Sequence, residues 1–126
     1  MTWIEVARDA ASAAKLCFRN GHFRSAVSRS YYAMYAAVTG RLVQSGAEPP
    51  AGRPGWSHAK TQHLAIEVLR SRLGAKATRE IRRMMAAAYS DRITADYLPG
   101  RTVDSAVAGR CVSYAIAVLR RLGVKG

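Results

Sequence analysis

Apolar residues return every three or four positions along nearly the whole chain, and nowhere do they alternate convincingly with a period of two. That spacing dictates helices, each burying one side. The first opens with Thr2 as N-cap and Glu5 three residues on, a capping-box pattern. It carries Ile4, Ala7, Ala11, Ala14 and Phe18 on one side, and Asn20-Gly21 stops it. The second is long, from about His22 to about Gln44, with Phe23, Val27, Tyr31, Met34, Val38 and Leu42 as its stripe. The Pro- and Gly-rich stretch SGAEPPAGRPGWS follows as a loop, with Ser57 as cap for a third helix from about His58 to Leu73. A fourth begins near Ala77 and ends before Pro99-Gly100. A fifth has Thr102 as expected N-cap and Val103, Val107, Cys111, Tyr114, Val118 and Leu122 as its stripe. The expected fold is all-α, one antiparallel bundle of five helices, with residues 1–126 as a single domain.

The charge balance narrows the choice of partner. Twenty Lys and Arg stand against eight Asp and Glu, a formal net charge of +12. Such an excess favours a polyanionic or acidic partner: nucleic acid, an anionic membrane surface or an acidic protein. An arginine-rich proteome would give the same composition without any such partner. Cys17 and Cys111 both fall in apolar helical patterns and read as small buried hydrophobes in a reducing compartment. No apolar run approaches the roughly 20 residues of a membrane span, and the N-terminus lacks the basic-then-apolar pattern of a secretory leader. The expectation is a cytoplasmic protein with no membrane partner. No cluster of His, Cys and carboxylates has zinc or iron spacing, and no Gly-rich phosphate loop or serine nucleophile motif occurs, so neither metal nor cofactor is expected.

Polar chemistry gathers instead in YSDRITADYLPG, residues 89–100. The inward face of the fourth helix passes through Ile81, Met85, Ala88 and Ala95, in steps of four, three and seven. Arg92 sits in the gap of that last step, on the same face. A guanidinium there is costly unless something pairs with it. Two roles fit. Asp96 can pair with Arg92 across i,i+4 and pin the helix end, or Arg92 can line a cleft that takes an anion.

The run RSAVSRSYYAMYAAVTGRLV, the isolated His58 after the loop and RITADY closing the fourth helix together resemble the HEPN superfamily. The nearest pattern is that of small prokaryotic members whose helix ends Arg-x-x-Ala-Asp-Tyr, and the similarity runs from the first helix through Leu122. The resemblance implies a helical bundle that forms a homodimer. In the ribonuclease members an Arg-x4–6-His motif from each subunit meets at the dimer cleft and cuts RNA without a metal. The arginine steadies the scissile phosphate and the histidine assists attack by the 2′-hydroxyl. Many members are toxins encoded beside a minimal nucleotidyltransferase that acts as antitoxin, and in some pairs it attaches AMP to a tyrosine near the histidine.

Carried over, the arginine is Arg92, and Tyr97, five residues on, stands where the histidine would be. A tyrosine with a pKa of about 10 is a poor general base at neutral pH, whereas histidine at about 6.5 is well matched. The match offers His58 as the substitute. For His58 a helix-start hydrogen bond is the competing role, His22 reads as an exposed helix start, and His63 shares no i,i+4 face with His58. The candidate set is therefore Arg92, Tyr97, His58 and Asp96. Tyr31 fits the core stripe, while Tyr32 and Tyr35 on a neighbouring face suit a helix–helix or subunit interface. Arg29, one turn before Tyr32, is expected to be solvated. The function expected is an RNA-binding, metal-independent endoribonuclease acting as a toxin or defence effector. The alternative is a non-catalytic module that binds a nucleotide or a nucleotidyltransferase partner.

Overall fold

The computed structural model describes residues 1–53, 56–58 and 68–125. Its helices are α1 (Trp3–Arg19), α2 (Phe23–Gln44), α3 (Ala75–Tyr97) and α4 (Ser105–Arg121). Residues 68–73 are also helical, and among the described residues there is no strand. The all-α architecture with five helices is thus as the periodicity dictates. The middle of the expected third helix, residues 59–67, lies outside the described residues, and His63 with it.

Helix ends follow the local chemistry. Thr2 Oγ1 accepts from Glu5 N at 3.1 Å, and α1 closes at Asn20, followed by Gly21 at φ 75°, a left-handed conformation that costs glycine little. One cap differs from expectation. The last helix is capped by Asp104, whose Oδ1 accepts from Val107 N at 3.0 Å, and not by Thr102. A carboxylate adds charge complementarity to the helix N-terminus that a hydroxyl lacks.

α2 runs through the centre of the bundle. It packs against α1, α3 and α4, whereas α1 and α3 do not meet. The expected stripe is present, with Val27, Tyr31, Met34, Val38 and Leu42 all essentially inaccessible. Burial then spreads round the helix, since every residue from Ala33 to Gly40 is buried. Alanine, threonine and glycine in this stretch let neighbouring helices approach from several sides. At Gly40 an added Cβ would lie 2.8 Å from Ile4 Cδ1 and 3.1 Å from Trp3 Cβ. The Ile4 methyl can swing aside, but Trp3 Cβ moves only with α1. Gly40→Ala is therefore expected to destabilise the fold by about 1–3 kcal/mol, read as a lowered urea midpoint with an unchanged slope.

Tyr35 makes the helix–helix contact that its spacing suggested, against Trp3 of α1. It is 8% exposed, its hydroxyl donates to the Trp56 carbonyl at 2.6 Å, and Trp3 meets its ring edge-on. Tyr35 belongs to the core because the 56–58 segment folds over it. Tyr32 stays half-buried and stacks beside it, with the Arg29 guanidinium over its outer face.

Candidate functional site

The last turns of α3 carry three of the expected residues. Arg92 Nε and Asp96 Oδ2 form an ion pair at 2.9 Å, with side chains 24% and 28% exposed. The same carboxylate oxygen accepts from Ser28 Oγ of α2 at 3.2 Å. The Arg92 guanidinium also lies 5.4 Å from the centre of the Tyr97 ring, a cation–π distance. Tyr97 itself is 62% exposed. Arg92 is thus at the rim of the bundle, where an incoming group can reach it.

His58 is the fourth. It begins the helical stretch after the loop and is half-buried, in a nest of aromatic rings from Tyr31, Tyr35 and Tyr89, each about 5 Å away. Its Nδ1 shares a 2.6 Å hydrogen bond with the Tyr31 hydroxyl. Either ring tautomer can make that bond: a bare Nδ1 accepts from the phenol, while a protonated one donates and leaves Nε2 basic. Burial lowers the His58 pKa, and the nearby Arg92 cation lowers it further. Burial pushes the Tyr31 phenol well above its ordinary range, so that phenol keeps its proton. Arg92, Asp96, Tyr97 and His58 accordingly occupy one locality.

The His58 shift has a measurable sign. Its folded pKa lies below the unfolded value, so the folded chain binds fewer protons on acidification. Its contribution to stability is present above about pH 6.5 and is lost as pH falls through the lowered folded value. Arg92→Ala is expected to raise the His58 pKa only part of the way, because burial is the larger cause. An imidazole titration by NMR reads this, and an unmoved pKa would separate the two side chains.

Two contributors escape a residue-by-residue reading of the sequence. Ser28 holds Asp96, as above. Arg24, at the start of α2, donates through Nη1 to the carbonyls of Thr94, Ala95 and Leu98, and through Nη2 to those of Pro99 and Arg101. α3 has no basic residue in its last turn, so a cation from α2 satisfies the helix end instead. The stretch's other aspartate, Asp91, turns toward α4. It takes Arg110 Nη2 at 2.8 Å and the Cys111 thiol at 3.3 Å. Burial, with help from Asp91, pushes that thiol up to about 12, so Cys111 is a packed, unreactive group.

Among the described residues no three His, Cys, Asp or Glu side chains could hold a metal ion together, and no helix is long and apolar enough to cross a membrane. A family model described as HEPN domain matches residues 1–125. No curated protein matches the chain.

Proposed function

The chain belongs to the HEPN domain family, and from that premise we propose an RNA-binding protein that cleaves RNA at the Arg92 cluster. The observation that supports this reading is the half-buried His58 ring against Tyr89 of α3, one turn before the rim-exposed Arg92, with the His58 pKa lowered by burial and by that cation. A histidine with a lowered pKa is unprotonated at neutral pH and can take a proton. In the Nδ1–H tautomer Tyr31 accepts from the ring and fixes its orientation, leaving Nε2 to deprotonate a ribose 2′-hydroxyl. The resulting oxygen forms a bond to the adjacent phosphorus as the bond to the 5′-oxygen breaks; that oxygen takes a proton from water, and the His58 imidazolium returns its own to solvent. The products are a 2′,3′-cyclic phosphate and a 5′-hydroxyl end. Asp96 engages Nε of Arg92, so the terminal Nη groups are the donors a phosphate would meet. Two charge-assisted bonds there oppose the charge that builds on the phosphorane.

Tyr97, in this reading, shapes the cleft as a hydrogen-bond donor and acts as no base. It and Leu98 are exposed apolar residues beside Arg92, the edge at which a second copy would complete a composite cleft in a homodimer. A toxin or defence role, with a minimal nucleotidyltransferase as antitoxin, follows the same family logic. A second reading rests on the 62% exposure of Tyr97: a non-catalytic module whose Tyr97 hydroxyl is offered to such a nucleotidyltransferase for modification.

The deciding experiment incubates purified protein with a mixed RNA pool in chelator. The wild type is expected to give fragments with cyclic phosphate ends, and His58→Ala to be slower by about 10²–10⁴-fold. RNA left intact by the wild type would favour the binding module. Cleavage undiminished in the variant would remove His58 as the base.

A further inference from the structure

α1 and α4 meet along a seam that holds a groove of about 310 Å³. Its floor is apolar: Ala11, Leu119 and Val124 are at most 4% exposed, and Ile116 is half-buried beside them. Its rim is cationic, with Lys15 on α1, Arg120 on α4 and Lys125 beyond it. No lining residue is acidic, and none of the three cations has a carboxylate partner among the described residues. Elsewhere Arg92, Arg110 and Arg121 are each paired with an aspartate or glutamate.

We propose that this groove docks an acidic amphipathic segment of a partner protein, apolar side chains on the floor and carboxylates against Lys15, Arg120 and Lys125. Charge complementarity selects the occupant. A recessed apolar floor between positive walls suits a peptide that alternates both characters. Single-stranded RNA would seek aromatic platforms for its bases, and among the described residues no aromatic side chain lines the groove. A membrane surface would need apolar side chains that protrude, whereas Leu119 and Val124 are recessed. None of the groove's lining residues belongs to the Arg92 cluster or bonds to it, so this surface is distinct from the proposed RNA-cleaving site and its occupation is independent of that reading.

The test selects a displayed library of random peptides on the intact protein, then measures the affinity of the enriched peptides. Enriched sequences are expected to combine Asp or Glu with Leu, Ile or Phe. They should lose about tenfold or more in affinity for the Lys15→Glu/Arg120→Glu double variant, and they should survive competition by an RNA oligonucleotide. A thermal melt checks the double variant, and Lys15→Gln/Arg120→Gln replaces it if folding suffers. No enrichment above a blank support, enriched peptides without acids, unchanged affinity for the charge variants, or displacement by the oligonucleotide would each overturn the proposal.

Discussion

Replacing Arg24 with alanine is expected to lower the free energy of unfolding by about 2–4 kcal/mol. One guanidinium serves five carbonyls, from Thr94 to Arg101. A hydrogen bond to a charged group contributes about 1.5–3 kcal/mol in favourable cases. The sum is not reached here, because the bonds to Leu98, Pro99 and Arg101 are exposed and water can replace them. Those to Thr94 and Ala95 are partly buried, at 3.2 and 3.0 Å, and their loss leaves the end of α3 without its cation. Lysine restores the charge but not the planar fork, so Arg24→Lys should recover only part. A urea titration gives the magnitude. Amide exchange at Leu98, whose N–H bonds to the Thr94 carbonyl at 3.1 Å, reports whether the loss begins at this helix end. A midpoint unchanged in Arg24→Ala would mean that water already satisfies these carbonyls.

The same arginine shows what was legible in the sequence and what was not. Helical periodicity is a property of each segment alone, so element type and most boundaries could be read directly. The inward face of α3 through Ile81, Met85 and Ala88 is buried as its spacing requires. What a polar side chain bonds to depends on packing between segments, and periodicity does not encode that. Arg24, Ser28, Tyr31 and Tyr35 follow one another at steps of four, three and four, a second stripe on α2 beside the apolar one. In order, they hold the α3 terminus, Asp96, His58 and the Trp56 carbonyl. The spacing was visible, but a reading that sorts residues into apolar core and solvated polar face assigns Tyr31 to the first and Arg24 to the second, and gives neither its bonding partner. For Tyr35 the helix–helix contact, made with Trp3 of α1, was legible, but the acceptor of its hydroxyl was not. Its partner Trp56 lies in an irregular segment whose path no repeat fixes.

Arg92→Ala is expected to separate stability from function. The Arg92–Asp96 pair is short, at 2.9 Å, yet both side chains keep about a quarter of their exposure. An i,i+4 pair so exposed contributes under about 1 kcal/mol. Asp96 also retains the Ser28 hydroxyl when the arginine is gone. The chemical melt of the variant should therefore nearly overlay that of the wild type. A loss of roughly 3–5 kcal/mol belongs only to a buried pair with a carboxylate left stranded. RNA cleavage should by contrast fall about 10²–10³-fold, the usual effect of removing a donor aimed at developing charge. Arg92→Lys should restore little of it, since an ammonium cannot present two parallel donors to a phosphate. The two sequence-derived roles for Arg92 then become successive states of one side chain. Asp96 holds the guanidinium by Nε, and in the proposed reaction the Nη groups of Arg92 engage phosphate when RNA arrives. A large stability loss with RNA handling intact would reverse the order of importance: Arg92 would be a lock for the end of α3, and the catalytic reading of His58 would lose the cation it depends on.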